Sequence, residues 1–166
     1  MIVLAFDPGT ATTGYAVLEK LPNEKLVPLD YGVIRTDPID SAPVRLLQIH
    51  REATRLIALH HPESVATERL FFKQNETTAM AVGRAIGALL LAIAQSDLAW
   101  TEYTPVQVKK AVTGVGNADK RQVQWMVTRL LGLSETPKPD DAADALAIAI
   151  CHAHSARALK LGLRSK

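Results

Sequence analysis

A single cysteine, Cys151, stands in a chain of 166 residues. No disulfide framework can form within the chain, which fits a reducing compartment. There is no CxxC pattern, so a structural zinc site is not expected. Long hydrophobic runs are missing as well. The most apolar stretch, Ala85 to Ala94, is ten residues long, too short to cross a bilayer. The start, Met1-Ile2-Val3, carries no basic segment ahead of an apolar run. No secretory leader is therefore expected, and a cytoplasmic location is. Internal repeats, low-complexity tracts and long linkers are absent. Aromatic residues make up only 5%, so each one prompts a question. Trp100 and Trp125 are expected in the core, as is the small Cys151.

Hydrophobic residues amount to 48% and charged residues to 22%, ordinary values for a folded chain. The length suits one domain with a real core, so residues 1–166 are expected to form a single unit. The formal net charge of +2 says little, but its distribution says more. Residues 1–68 carry 6 basic and 9 acidic side chains, whereas residues 69–166 carry 13 basic and 8 acidic. A polyanion, if one binds, belongs on the second half.

Residues 2–6 read as a buried strand, Gly14 to Leu18 as a second and Leu26 to Thr36 as a third, with turn residues between them. Ser41-Ala42-Pro43 opens a helix that His61-Pro62 stops. Residues 64–68 read as a fourth strand. Asn75 is placed to cap a long helix to about Gln95, and Leu98 to Tyr103 read as a fifth strand. A short helix follows Pro105 and breaks at Gly114-Val115-Gly116. Another, led by Asn117 or Asp119, runs to Leu131, and the last runs from about Asp140 to Leu159. This order predicts an α/β fold: a five-stranded mixed sheet with helices on both faces and the first strand near its centre.

Carboxylates punctuate that order. Asp7 ends the first strand and Glu68 the fourth, while Asp140, Asp141 and Asp144 open the last helix. Their predicted positions bring the two strand ends together. Hydrolysis of a phosphodiester needs charge neutralised on the phosphate and a water made nucleophilic, which two divalent cations roughly 3.5–4 Å apart accomplish. Hard cations such as Mg²⁺ or Mn²⁺ take oxygen ligands, so Asp and Glu are the right residue types. Asp7, on a rigid strand end, is the best candidate to bridge two ions. Asp141 and Asp144 share a helix face, but so do Asp140 and Asp144. One of the trio also suits a helix cap, a role that falls first on Asp140; spacing alone leaves that choice open.

Phe71-Phe72-Lys73 follows Glu68 in a predicted loop. An aromatic beside a basic residue suits stacking on an unpaired base, so Phe71 and Lys73 are assigned to nucleic acid and Phe72 to packing. Lys109, Lys110, Lys120 and Arg121 bracket the Gly114–Gly116 loop and form a candidate phosphate-binding patch. Gly83 and Gly87, spaced i, i+4 in the long helix, let another helix approach.

At these residues the chain resembles the RuvC-type Holliday-junction resolvases of the RNase H-like nuclease superfamily. The resemblance rests on Asp7-Pro8-Gly9-Thr10 with Thr13-Gly14-Tyr15, Glu68 with Phe71, Gln107-Val108-Lys109, Gly114-Val115-Gly116 with Ala118, Lys120 and Gln122-Val123, and Asp141-Ala142-Ala143-Asp144. It spans nearly the whole chain in order. It implies an RNase H-like fold and a homodimer that makes paired nicks in four-way junction DNA, leaving 5′-phosphate and 3′-hydroxyl ends, in recombination and DNA repair. It also implies two Mg²⁺ or Mn²⁺ ions per active site and the RuvA–RuvB branch-migration complex as a partner. By the same resemblance Asp7, Glu68, Asp141 and Asp144 are metal-binding catalytic acids, which settles the Asp140 ambiguity. Lys109 and Lys120 lie near the scissile backbone and Phe71 stacks at the crossover. Arg69, where the family commonly has a neutral residue, adds a phosphate contact if it faces DNA. Two opposed nicks call for two sites in fixed relation, so Gly83 and Gly87 become candidates for the dimer seam.

Competing readings are an ATP-handling domain of the actin and sugar-kinase type, which also places Asp-x-Gly-Thr after a first strand, a non-cutting binder of branched nucleic acid, and an RNA-processing relative of the same superfamily. The first normally needs two such domains, and the intact acid set argues against the second. The set Phe71, Lys109 and Lys120 favours the junction enzyme over the third.

Overall fold

The computed structural model describes residues 1–69 and 76–160, with side chains described for residues 1–69 and 79–155. Three strands, β1 (Ile2–Asp7), β2 (Thr12–Lys20) and β3 (Leu26–Arg35), form an antiparallel meander. Helix α1 (Ala42–His60) crosses to β4 (Ser64–Glu68), and α2 (Glu76–Gln95) crosses to β5 (Ala99–Tyr103). Three helices follow: α3 (Pro105–Thr113), α4 (Lys120–Leu130) and α5 (Asp140–Lys160). The five-stranded sheet has the order β3-β2-β1-β4-β5, with β4 parallel to both β1 and β5. The expected mixed sheet with a central first strand is present. Among the described residues no helix is long and apolar enough to cross a membrane.

Successive strand residues point to opposite sheet faces, and this parity divides the core in two. Val3 and Ala5 of β1, Ala16 and Leu18 of β2 and Ala66 of β4 pack with α3, α4 and α5. Leu4, Phe6, Val17 and Val65 pack with α1 and α2 on the other side. The same parity carries Asp7, two after Ala5, and Glu68, two after Ala66, onto the α5 face.

The local chemistry of the ends is readable. Ser41 precedes α1 in extended conformation with proline in the first turn, and His61 closes the helix in the left-handed region at φ 46°. Thr104 and Asp119 cap α3 and α4, each in a reciprocal capping box, with Gln107 and Gln122 respectively. Gly114 ends α3 at φ 82°, where a side chain is strained. Helix α5 is buried almost all round from Ala142 to Ala153. Its alanines lie against the small sheet residues Gly14, Ala16 and Ala66, so helix and sheet approach closely.

Cys151 is buried as expected, and burial pushes its thiol pKa up to about 11. The two tryptophans depart from expectation. Trp125 is 57% exposed on the outward side of α4, and Trp100 is 39% exposed on the edge strand β5. Trp100 keeps its indole N–H satisfied by donating to Thr67 Oγ1 at 3.1 Å. Size and hydrophobicity favour burial, but α4 packs against α3 and α5 and has one inward stripe, here Val123 and Val127.

Candidate active site

Asp7 and Glu68 become neighbours because β1 and β4 run parallel with Phe6 opposite Thr67. On the other flank of β1, Asp7 pairs with Gly14 of β2. Gly14 has no side chain, and this is what admits α5. A Cβ placed there meets the Asp141 carbonyl oxygen and lies 2.6 Å from its carbon. The first turn of α5 therefore rests directly on β2 beside Asp7, and Asp144 comes round one turn later.

The loop after Asp7 is tied down by two hydroxyls. Thr13 Oγ1 donates to Gly9 O at 2.6 Å, and Thr36 Oγ1 donates to Thr10 O at 2.5 Å. The strand end bearing Asp7 is thus held by its own loop.

A cleft of about 540 Å³ opens at this end of the sheet, lined by Asp7, Glu68 and Asp144 together with Lys109 and Lys120. Burial raises the Asp7 pKa to about 7, with further repulsion from Asp144, Glu68 and Asp141 and partial relief from Lys120. Glu68 is raised by burial and by Asp144, with Lys109 opposing. Asp144 is likewise raised, first by burial, although Lys120 pulls it down. Lys120 Nζ lies 3.2 Å from Asp144 Oδ2 and 3.1 Å from Asp140 Oδ2. Desolvation lowers the Lys120 pKa, but its bonds to Asp140 and Asp144 outweigh that effect and the net shift is upward. The acids are held together at an electrostatic cost that a cation offsets.

Asp141 acts on Asp7 and Asp144 through its charge but does not line the cleft. Among the described residues no three carboxylate, histidine or cysteine groups form a closed metal-ligand cluster. Three carboxylates on an open cleft are still a fitting donor set for a hard cation that shares its coordination with a phosphate, since Mg²⁺ is usually held by one or two carboxylates plus substrate oxygens. Asp140, expected as a helix cap, instead reaches α4: it takes the Lys120 ammonium and accepts from Gln124 Nε2 at 3.1 Å.

The candidate DNA contacts divide. Lys109 and Lys120 face the cleft, whereas Lys110 is exposed outside it and Arg121 lines a neighbouring groove. Arg69 is exposed, and its guanidinium is paired with Glu102 at 3.0 Å across the β4–β5 edge. Phe71, Phe72 and Lys73, and the expected Asn75 cap, lie outside the described residues. Gly83 and Gly87 have open space where a Cβ would stand, and Gly87 borders an apolar groove of about 470 Å³ between α1 and α2.

Two residues went unassigned by residue type alone. One is Gly14, although a glycine inside a strand pattern signals close backbone approach. The other is His152, buried on α5 between Ser64 Oγ at 2.8 Å and Tyr103 Oη at 2.9 Å. Nothing local in the sequence marks it, because both partners are distant along the chain.

The sheet order and the acid-lined cleft beside its central strand define an RNase H-like nuclease fold. The family model described as "Crossover junction endodeoxyribonuclease RuvC" matches residues 3–152, and the chain belongs to that family of metal-dependent nucleases. A relative of that name from Desulfitobacterium hafniense is 55% identical, with 96% of each chain covered. Another from Heliobacterium modesticaldum is 52% identical, covering 93% of this chain and 95% of the relative. Among solved structures, Thermus thermophilus RuvC superimposes with a TM-score of 0.87 at 39% identity, covering 95% of this chain and 96% of that one. The same protein in complex with Holliday junction substrate gives a TM-score of 0.90 at 39% identity, with 95% of each chain covered. Family membership removes the ATP-handling alternative.

Proposed function

We propose that this protein resolves four-way DNA junctions by paired, metal-dependent nicks, with Asp7, Glu68, Asp141 and Asp144 as its catalytic acids. The observation that carries this reading is the convergence of three carboxylates with Lys109 and Lys120 in one cleft. Two ions of Mg²⁺ or Mn²⁺ per site are the fitting cofactors. Cations bound there supply neutralisation of the scissile phosphate and an activated water.

The chain's own groups do the rest. Asp7 presents its carboxylate from a tied strand end, where it would hold the cations together with its neighbours. Glu68 and Asp144, which line the same cleft, would complete the oxygen donor set, and Asp141 would add its charge. Lys109 and Lys120 meet the phosphate backbone that enters the cleft, and Lys120 exchanges Asp144 for that phosphate. Phe71, with Arg69 and Lys73, is assigned to the crossover, and Lys110 and Arg121 to the flanking backbone. Cleavage leaves 5′-phosphate and 3′-hydroxyl ends.

Paired nicks require two copies. The groove between α1 and α2, with Leu47 47% and Leu91 54% exposed, supports a homodimer seam that includes Gly83 and Gly87. Residues 1–166 act as one nuclease unit in the cytoplasm, with the RuvA–RuvB branch-migration complex as a partner. A synthetic four-way junction incubated with Mg²⁺ or Mn²⁺ tests the reading: symmetric, ligatable nicks near the crossover support it, and random or absent nicking refutes it.

A further inference from the structure

The outward face of α4 has no part in the cleft. Arg121, Trp125 and Arg129 fall at i, i+4 and i+8 on one exposed stripe. The two arginines stand roughly 12 Å apart along the helix axis. The Arg129 guanidinium lies 5.4 Å from the centre of the Trp125 ring, a cation–π contact that orients it. Beside them the exposed Val115, with Met126 and Thr113, lines a groove of about 410 Å³ in which Trp125 and Arg121 form the opposite wall.

Charge and continuity identify what this face meets. Residues 105–130 carry five basic side chains, Lys109, Lys110, Lys120, Arg121 and Arg129, against one acid, Asp119. That acid is committed to capping α4. Arg121 directly follows Lys120, which reaches into the acid-lined cleft. The stripe therefore starts at the cleft rim and runs away from it, and its two arginines have no acidic partner among the described residues. A polyanion whose scissile phosphate sits in the cleft passes along this helix.

We infer that the Arg121–Trp125–Arg129 face is an accessory binding surface for a duplex arm of the DNA substrate, beyond the crossover. The arginines take phosphates. Trp125 packs its ring against the sugar edge and holds Arg129 in place, so it acts as a positioning residue as well as a contact. The contact is independent of base sequence. It rests on the function proposed above and adds arm length as a determinant of affinity.

The test is equilibrium binding of full-length protein to four-way junctions, without divalent metal, over a series of arm lengths and salt concentrations. With long arms, Arg121→Gln with Arg129→Gln is expected to weaken binding by about tenfold and to reduce the slope of log affinity against log salt by about 2, since each phosphate contact adds about 0.9. Trp125→Ala is expected to lose part of the same slope, while Arg129→Lys retains it. The difference from wild type disappears as the arms are shortened. All three side chains altered in these variants are exposed, and a thermal melt checks that folding is unchanged. If wild type binds junctions selectively but the variants match it in affinity and slope at every arm length, the inference is overturned; a protein partner would then be the better occupant. If wild type itself shows no preference for junction over linear duplex, the proposed function fails too.

Discussion

The start of α5 brings Asp144 to a cleft where it faces Asp7 and Glu68, and the pKa of each of these three carboxyls is raised. About two turns later, the same helix buries His152 between two hydroxyls that satisfy both ring nitrogens. One helix thus holds a frustrated end and a satisfied end. Burial lowers the His152 pKa to about 4 and raises the Tyr103 pKa to about 12, so both stay neutral and hydrogen-bonded at ordinary pH. The satisfied network ties α5 to Ser64 of β4 and Tyr103 of β5.

The largest expected effect is at the frustrated end. Asp7→Asn is expected to reduce junction nicking on the order of a thousandfold while leaving junction binding intact, as single-turnover cleavage and gel-shift assays will show. The same variant is expected to be more stable than wild type in metal-free buffer. The folded pKa of Asp7, about 7, lies above its ordinary 3.8. Its contribution to stability is therefore full below pH 3.8 and lost as pH rises through 7. Chemical denaturation at pH 8 with chelator should show Asp7→Asn ahead by about 3 kcal/mol; equal stability would mean the acids are not crowded.

Gly14→Ala probes how closely α5 rests on β2. The new Cβ meets backbone rather than a flexible side chain, so the first turn of α5 must move. A loss of about 3 kcal/mol together with weaker Mn²⁺ binding is expected, read by denaturation and metal titration.

His152 tests the satisfied end. Its folded pKa, about 4, lies below the ordinary 6.5, so its contribution is present above pH 6.5 and lost as pH falls towards 4. His152→Ala leaves Ser64 and Tyr103 without their partner and is expected to cost about 3 kcal/mol at pH 7.5, while flattening the acid limb between pH 6.5 and 4. An unchanged limb would assign acid sensitivity to other groups.

Effects on the opposite face should be smaller in stability and larger in assembly. Leu91→Glu places a charge on the exposed apolar groove without touching the core. Sedimentation is expected to show monomers with a melting temperature close to wild type; an unaltered dimer would exclude this face as the seam. The smallest effect belongs to Arg69→Gln, which removes an exposed ion pair with Glu102 and should change stability by about 0.5 kcal/mol or less.

Much of this was legible in the residues. Turn residues and apolar runs mark the strands and helices of the described residues to within a few positions. Strand ends marked Asp7 and Glu68, and helical spacing marked Asp144. The tryptophans were misplaced because a large apolar side chain signals burial only on average, and which side of α4 faces inward depends on what α4 packs against. Asp140 read as a cap because its position suits one; its actual partner, Lys120, comes from another helix. The proposed inclusion of Asp141 rests on resemblance to a family, since spacing alone leaves Asp140 and Asp141 equivalent.

Local periodicity by itself determined the order of elements, the two faces of each strand and the sidedness of the acids, because side-chain direction alternates with position regardless of surroundings. Only the tertiary structure decided that a bare glycine on β2 lets α5 settle beside Asp7, that His152 finds both hydroxyls, and that Trp125 stands in solvent with Arg129 over its ring. Those outcomes depend on groups tens of residues apart meeting at ångström distances, and no repeat within the chain encodes such a meeting.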